Sequence, residues 1–367
     1  MSQFVVQGGG VLQGTIRVPG DKSISHRSIM LGAIADGETT VRGFLEGEDS
    51  LATLRAFREM GVRISEPRGG EVTIEGVGLH GLQPPSHPID LGNSGTSMRL
   101  LCGLLSGQAF TSRLTGDSSL CRRPMARVTG PLLTMGAMIT TGAEGRPPLD
   151  IVGGRVLTGI QYRMPVASAQ VKSALILAGL YATSPTAVTE PAPTRDHTER
   201  MLQGFGYPLQ RSGATVTVIP GGRLRATTVE VPADISSATF FMVGAAITPG
   251  ASVTLTDVGV NPTRTGVVNL LRMMGADIRL GNQREVSGEA VADVTVSYAP
   301  LHGIVIPEDQ VPLAIDEFPA LFIAAAVAHG ETRLSGAREL RVKESDRIQV
   351  MADGLHRLGV SAVATED

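Results

Sequence analysis

The hydrophobic positions of this 367-residue chain repeat a pattern five times. Each copy contains an Ala- and Leu-rich stretch that is apolar nearly all round, followed by a short segment typical of a β-strand, such as TTVRGF, TSRLTG, TAVTEP, SVTLTDV or TRLSGA. A helix that is apolar on every side has to be buried, so the pattern predicts five buried helices. The stretches are 25–37, 96–107, 169–182, 236–250 and 317–330.

A second helix is predicted in each copy, and it ends at a glycine followed by a β-like segment. Glycine adopts the left-handed backbone conformation that follows many helix C-termini, so these glycines predict where each helix stops. The unit is therefore strand, buried helix, strand, amphipathic helix and strands. Ordinary α/β alternation is the simpler alternative, and five matched endings count against it. The glycines are Gly61, Gly136, Gly206, Gly275 and Gly359.

Composition excludes several classes of protein. Hydrophobic residues make up 42% and charged residues 18%, which favours a folded globular chain. No apolar run reaches the ~18–20 residues of a membrane helix, and MSQFVVQGGG has no signal-peptide pattern, so we expect no membrane partner and a cytoplasmic location. A net charge of −3 gives no basic footprint for nucleic acid. Two cysteines and scattered histidines predict no metal site, and no GxGxxG motif follows a strand, so no cofactor is expected.

Arginine recurs near the start of the second helix. Four copies carry an arginine eleven to thirteen residues before the terminal glycine, and Asp49 takes that place in the first copy. Helix N-termini have free N–H groups and partial positive charge, so a cation there needs an anion to offset it. The pattern predicts a cleft for anionic ligands, although any one arginine could instead pair with a carboxylate such as Asp196 or Glu344. The arginines are Arg123, Arg195, Arg264 and Arg347.

Eight motifs, in order along nearly the whole chain, carry a family resemblance. They are PGDKSISHRS (19–28), LGNSGTSMR (91–99), GDSSLCRRPM (116–125), ASAQVKSA (167–174), TRDHTERML (194–202), NPTRTG (261–266), IDEFP (315–319) and RVKESDR (341–347). Together they resemble the motifs of bacterial 5-enolpyruvylshikimate-3-phosphate synthases.

The resemblance implies an α/β fold of two domains, each an inverse α/β-barrel-like arrangement of three βαβαββ units, with the chain crossing between them twice. Matching the motifs places residues 20–231 in one domain and residues 1–19 plus 232–367 in the other. The family has six units and the chain shows five terminal glycines. We therefore expect the second domain to be incomplete at its C-terminal end.

The resemblance also implies an activity in chorismate and aromatic amino-acid biosynthesis. The enolpyruvyl group of phosphoenolpyruvate is transferred to the 5-hydroxyl of shikimate 3-phosphate, phosphate is released, and the enzyme is a monomer without a cofactor. The positions that match shikimate 3-phosphate contacts are Lys22, Ser23, Arg27, Ser168, Ala169, Gln170, Arg195, Asp316 and Lys343. Those that match phosphoenolpyruvate contacts are Lys22, Gly95, Arg123, Gln170, Glu344 and Arg347.

Three catalytic roles are hypotheses from this match. Asp316 takes the proton of the 5-hydroxyl, and either Glu344 or Lys22 delivers a proton to the methylene carbon. A carboxyl acting as an acid needs a raised pKa, which neighbouring cations oppose, so Lys22 remains a rival. If residues 343–347 are helical, Lys343 and Arg347 share one face and Glu344 points elsewhere. A simpler role for Asp316 is the N-cap of the following helix.

Two alternatives stay open at this point. The chain could bind shikimate 3-phosphate without turnover if the sixth unit is required for catalysis. It could also be a UDP-N-acetylglucosamine enolpyruvyl transferase, a class with the same fold and a loop cysteine before an Arg-Pro motif. Cys121 lies only two residues before Arg123, which is too close for that loop.

Overall fold

The computed structural model describes residue 5 and residues 7–367 of the chain. In that part, ten α-helices alternate with sixteen strands. The helices are α1 Lys22–Ala33, α2 Glu48–Glu59, α3 Gly95–Ser106, α4 Ala126–Thr134, α5 Ala169–Gly179, α6 His197–Gly204, α7 Ile235–Ile247, α8 Gly266–Met273, α9 Phe318–Val327 and α10 Arg347–Arg357. The strands are β1 Gln13–Ile16, β2 Asp36–Arg42, β3 Arg63–Ile64, β4 Val72–Val77, β5 Ile89–Asp90, β6 Ser112–Thr115, β7 Met138–Thr141, β8 Leu149–Val152, β9 Gln161–Arg163, β10 Thr186–Thr189, β11 Leu209–Ser212, β12 Thr215–Val218, β13 Thr228–Glu230, β14 Ser252–Gly259, β15 Asp277–Val286 and β16 Glu289–Ser297.

The strands form four sheets with one shared topology. In each sheet a first strand pairs in parallel with the second, and two antiparallel pairings follow. This arrangement confirms the repeating unit that the sequence predicts. The four strand orders are β13-β2-β4-β3, β5-β6-β8-β7, β9-β10-β12-β11 and β1-β14-β16-β15.

Two of the sheets take their first strand from a distant part of the chain. Strand β13 pairs with β2, and β1 pairs with β14. The segments that lead into and out of these strands are bonded to each other, since Asp21 N–H donates to Pro232 O at 2.8 Å and Asp234 N–H donates to Pro19 O at 2.9 Å. The chain therefore passes twice through one hydrogen-bonded junction, which we call the crossover.

The five terminal glycines occupy the predicted positions. Each has a positive φ, between 79° and 100°, directly after α2, α4, α6, α8 or α10. A strand follows the first four of them. The fifth unit differs, because residues 360–367 form no strand and TRLSGA contributes only the isolated bridge Val305↔Arg333, so the strands expected there were wrong.

Buried side chains form two hydrophobic clusters. One contains residues between Ile24 and Val231, and the other contains Val18 with residues between Ala233 and Leu340. Helices α1, α3 and α5 are buried as predicted, and α3 and α5 pack so closely that a Cβ at Gly103 would lie 2.1 Å from Ala174 O. Helices α7 and α9 are only partly buried, and Phe240 is 69% exposed. Among the described residues, no helix is long and apolar enough to cross a membrane.

Candidate active site

A cleft of about 740 Å³ lies between the two hydrophobic clusters. The first turns of helices α1, α3, α5, α7 and α9 all contribute to its wall. In four of them a side chain caps the helix; for example, Asp21 Oδ1 accepts from Ile24 N–H at 2.9 Å and Ser94 Oγ accepts from Ser97 N–H at 3.2 Å. Free N–H groups of five converging helix ends give the cleft a positive potential.

Charged side chains add to this potential. Eight cationic side chains and six carboxyl groups line the cleft, although the whole chain carries a net charge of −3. Positive charge is thus concentrated locally, as the sequence predicts for an anionic ligand. The cations are Lys22, Arg99, Arg123, Arg127, Arg195, Arg264, Lys343 and Arg347, and the carboxyl groups are Asp49, Asp234, Asp316, Glu317, Glu339 and Glu344.

Asp316 stands at the centre of three cations, which we call the Asp316 cluster. Its Oδ2 accepts a hydrogen bond from Arg195, while Oδ1 accepts from Arg347 Nη1 at 3.0 Å and lies 3.7 Å from Lys343 Nζ. Burial alone would raise the pKa of Asp316, but the three cations outweigh it and hold the pKa well below its usual range. The N-cap position of α9 belongs to Glu317, so the simpler role considered for Asp316 does not apply.

The segment before α10 departs from the sequence prediction. Lys343 is extended after a 3₁₀ turn at Arg338–Val342, so it shares no helix face with Arg347. Glu344 does not point elsewhere but lines the same cleft, because both of its oxygens accept from Arg347 at 2.9 Å. Burial would raise the pKa of Glu344, and these hydrogen bonds outweigh it and lower the pKa.

Lys22 lies at the start of α1 and reaches a carboxylate on α2. Its Nζ is 3.2 Å from Asp49 Oδ2, and half of the Lys22 side chain is exposed in the cleft. Asp49 occupies the place that arginine takes in the other four copies of the repeat. The first copy therefore presents an ion pair where the others present an arginine, and Asp49 is a cleft residue that the predicted site omitted.

Gly95 makes room for two guanidinium groups. A Cβ at this position would lie 2.9 Å from the Nη1 atoms of both Arg99 and Arg123. Arg123 donates to the amide oxygen of Asn93, and Arg99 donates to Gln170 Oε1 at 2.8 Å. Burial, and then the Arg123 charge, lower the pKa of Arg99 to about 10. The sequence prediction missed Arg99, which its position one helical turn after Gly95 would have indicated.

The structure does not bring every predicted residue to the cleft wall. Ser23, Ser168 and Gln170 line it with the cations above, whereas Arg27 and Ala169 do not. Arg27 is 4% exposed and donates to Ser23 O at 3.0 Å, Thr198 Oγ1 at 2.6 Å and Ser173 Oγ at 2.8 Å. Burial lowers its pKa to about 10. Each of its three guanidinium nitrogens therefore donates to a partner in the first lobe.

Arg264 corrects the prediction made for the recurring arginines. It is 3% exposed, and its guanidinium lies 2.9 Å from Asp21 Oδ2, 3.2 Å from Asp234 Oδ1 and 3.5 Å from Glu317 Oε1. We call these four residues the Arg264 cluster. An external anion is not what offsets this cation, because carboxylates of the chain itself surround it. Among the described residues, no group of His, Cys, Asp and Glu is arranged to hold a metal ion.

Two lobes of repeated βα units around a cationic cleft define the class of protein to which this chain belongs. The family model of EPSP synthase (3-phosphoshikimate 1-carboxyvinyltransferase) matches residues 6–367. The chain belongs to this family. It is 66% identical to the 3-phosphoshikimate 1-carboxyvinyltransferase of Alkalilimnicola ehrlichii, covering 100% of this chain and 82% of the relative, and 66% identical to that of Methylococcus capsulatus, covering 99% and 83%.

Solved structures agree with this assignment. The EPSP synthase of Acinetobacter baumannii superposes with a TM-score of 0.87 at 61% identity, covering 98% of this chain and 81% of that one. The enolpyruvyl transferase NikO of Streptomyces tendae has a TM-score of 0.70 at 17% identity, covering 89% and 75%. The second likeness concerns the fold alone.

Proposed function

We propose that this protein transfers the enolpyruvyl group of phosphoenolpyruvate to the 5-hydroxyl of shikimate 3-phosphate and releases phosphate. Family membership supports the proposal, and the observation that carries it is an ionised Asp316 among three cations in a cleft lined by five helix ends. Both substrates carry a phosphate and a carboxylate, which planar arginine forks and lysine charges bind well.

The transfer requires an addition and an elimination. The 5-oxygen bonds to the central carbon of phosphoenolpyruvate while its proton leaves and the methylene carbon gains a proton. Loss of phosphate together with a proton from the new methyl group then restores the double bond. The protein has to hold two anions together, remove and return protons, and exclude water. The two steps require no covalent bond between the protein and either substrate.

Asp316 is the proposed acceptor of the hydroxyl proton. With Arg195, Lys343 and Arg347 as its partners, its lowered pKa makes it a weak base. Substrate anions bound to Arg195, Lys343 and Arg347 would compete for these cations and place like charge beside the carboxylate. Both effects raise the pKa of a carboxyl group, so substrate binding itself would strengthen the base.

The proton for the methylene carbon is proposed to come from Lys22 rather than Glu344. The lowered pKa of Glu344 means that it holds no proton near neutral pH while Arg347 is its partner. Lys22 forms an ion pair with Asp49 and so presents an ammonium group to the cleft. Glu344 would become the donor only if bound substrate displaced Arg347 from it.

The remaining assignments are proposals of the same kind. Arg195 and Lys343, with the polar first turns of α1 and α5, are proposed to bind shikimate 3-phosphate, and Gly95, Arg123 and Arg347 to bind phosphoenolpyruvate. Two separate hydrophobic clusters support a division into domains at 20–231 and 1–19 plus 232–367. Residues 1–4 and 6 of the second domain lie outside the described residues. A monomer in the cytoplasm remains a prediction.

A phosphate-release assay with this chain tests the proposal. Phosphate is expected from phosphoenolpyruvate only when shikimate 3-phosphate is present. Release that depends on UDP-N-acetylglucosamine instead would overturn the proposal. Calorimetry with shikimate 3-phosphate runs beside the assay, and binding without any phosphate release would favour an inert binding protein.

A further inference from the structure

The Arg264 cluster lies where the chain crosses between the two lobes. Arg264 precedes α8, while its partners come from three other places: Asp21 before α1, Asp234 before α7 and Glu317 before α9. The closest link spans 243 residues of sequence. One guanidinium therefore contacts the residue before each of three helices whose first turns line the cleft.

Two of these carboxylates cap helices on opposite sides of the crossover. Asp21 Oδ1 accepts from Ile24 N–H at 2.9 Å, and Asp234 Oδ1 accepts from Ser236 N–H at 2.8 Å. Asp234 Oδ2 also accepts from the backbone N–H of Lys22 at 3.2 Å. Although burial opposes ionisation, the Arg264 charge helps to lower the pKa of Asp21 to about 2. The N-terminal ends of α1 and α7 are thus joined to the same arginine through the side chains of Asp21 and Asp234.

The third partner adjoins the proposed catalytic base. Glu317 is 3% exposed, follows Asp316 in sequence and accepts a hydrogen bond from the Ser236 hydroxyl. Arg264 Nη2 donates to the same hydroxyl oxygen at 2.7 Å. Arg264 therefore contacts Asp21, which precedes Lys22, through Nη1, and Glu317, which follows Asp316, through Nη2.

We propose that Arg264 is a positioning residue that sets Lys22 and Asp316 relative to each other across the cleft, by holding Asp21 and Glu317. The inference rests on the proposed function, since it gives Lys22 and Asp316 catalytic roles. Lys22 belongs to the lobe with the first hydrophobic cluster and Asp316 to the other, so their separation depends on the crossover. A displacement of about 1 Å in a catalytic group can cost ~10²-fold in rate.

A guanidinium suits this task better than an ammonium. Its planar fork binds two acceptors in different directions at once, whereas a lysine supplies a point charge on a flexible stem. Arg264 uses Nη1 for Asp21 and Nη2 for Asp234, Ser236 and Glu317. Arg264→Lys keeps the buried positive charge but cannot contact all of these acceptors at once. The variant therefore separates the positioning of the two helix ends from the neutralisation of the buried carboxyl groups.

The test compares Arg264→Lys with Arg272→Gln as control. Arg272 lies on α8, is exposed and donates only to Ile278 O, at 3.0 and 3.3 Å, away from the cleft. We expect Arg264→Lys to lower kcat about 10- to 100-fold at saturating substrates and Arg272→Gln to leave it unchanged. In an Asp316→Ala background, Arg264→Lys should lower kcat by less than about threefold. The catalytic base is already missing there, so a change in its position has no further effect.

Equal fold-losses in both backgrounds, or an Arg264→Lys protein with the kcat of the parent, would overturn the proposal. Amide hydrogen exchange gives a readout that needs no turnover. Ile24 and Ser236 amides should exchange faster in Arg264→Lys and unchanged in Arg272→Gln, and unaltered protection at both in Arg264→Lys would also reject the inference. If the parent protein itself releases no phosphate, the proposed function fails, and the exchange experiment still decides whether Arg264 holds the two helix ends.

Discussion

Two adjacent residues, Asp316 and Glu317, belong to clusters of opposite composition. The Asp316 cluster has one carboxylate among the cations Arg195, Lys343 and Arg347, and its side chains are 19–28% exposed. The Arg264 cluster has one cation among three carboxyl groups, with side chains no more than 10% exposed. Unbalanced positive charge beside solvent leaves capacity for an incoming anion. Unbalanced negative charge in a closed site has to be relieved internally.

Two features offset the excess negative charge in the Arg264 cluster. Asp21 and Asp234 accept backbone N–H groups at helix N-termini, where the helix dipole favours negative charge. The Glu317 side chain accepts no backbone N–H at the start of α9, and burial raises its pKa. An arginine near a helix start therefore indicates a ligand site only when its neighbours leave positive charge in excess.

Removing the carboxylate of the Asp316 cluster should have the largest effect. Asp316→Ala is expected to lower kcat by ~10²–10⁴-fold, the usual contribution of a general base, because no other group then takes the hydroxyl proton. Affinity for shikimate 3-phosphate should be kept or increased, since three cations are left without their internal partner. Phosphate release and calorimetry measure the two quantities.

The control for that prediction is Asp309→Ala. Asp309 is exposed and accepts only from Gln310 Nε2, at 3.2 Å. Its loss should leave kcat unaltered. An Asp316→Ala protein with nearly the parent kcat would remove the catalytic distinction between the two clusters.

Removing the cation of the Arg264 cluster should also lower the stability of the folded protein. Arg264→Gln leaves three buried carboxyl groups facing each other, and breaking a buried pair in this way costs about 3–5 kcal/mol. Arg347→Gln should cost less, because Asp316 keeps Arg195 and Lys343 as partners. Urea unfolding of both variants measures the difference, and equal losses of stability would show that the two clusters do not differ in this respect.

A single cation of the Asp316 cluster should contribute to binding. Lys343→Gln removes one charge 3.7 Å from Asp316 Oδ1 in the cleft. A hydrogen bond to a charged group is worth ~1.5–3 kcal/mol, so the Kd for shikimate 3-phosphate should rise about 10- to 100-fold. Arg279→Gln is the control, because Arg279 is exposed and pairs with Asp277 at 3.1 Å. Calorimetry showing the same Kd for both variants would exclude Lys343 from the binding site.

The smallest expected effect concerns Glu317 and depends on pH. Because its pKa is raised in the folded protein, the folded state holds a proton that the unfolded state releases above pH ~4.3. Stability therefore falls as pH rises from that value through the folded pKa, by at most ~1.4 kcal/mol per pH unit. Glu317→Gln lacks this loss, so its thermal stability relative to the parent should increase as the pH rises above ~4.3.

Asp316 affects the pH dependence of stability in the opposite direction. Its lowered pKa contributes stability that is present above pH ~3.9 and lost as pH falls through the folded pKa. Glu317→Gln keeps Asp316, so the acid side of its stability profile should match that of the parent. A stability difference between Glu317→Gln and the parent that is constant with pH would show that Glu317 does not hold the extra proton.

Much of the architecture could be predicted because its signals are local. An all-apolar stretch such as 169–182 has to be covered, and a glycine such as Gly136 is permissive for the positive φ after a helix. The strands expected in the fifth unit failed because strand formation requires a neighbouring strand, and residues 360–367 have none in the structure. The motifs predicted that Lys22, Arg195 and Asp316 share a site, and all three line one cleft. No motif indicated that Arg27 would donate hydrogen bonds to Thr198 and Ser173 inside the core.

By itself, the sequence determined the repeat, the helix endings and the presence of recurring arginines near helix starts, because each depends on a few consecutive residues. The tertiary structure decided which charges meet. Arg264 and Asp21 are 243 positions apart in the sequence, yet Arg264 Nη1 lies 2.9 Å from Asp21 Oδ2 in a buried site. Arg195 instead pairs with Asp316 where both side chains are partly exposed to solvent. The energy of a charge depends on the separation of its partners and on their exposure to water, and both are properties of the folded chain.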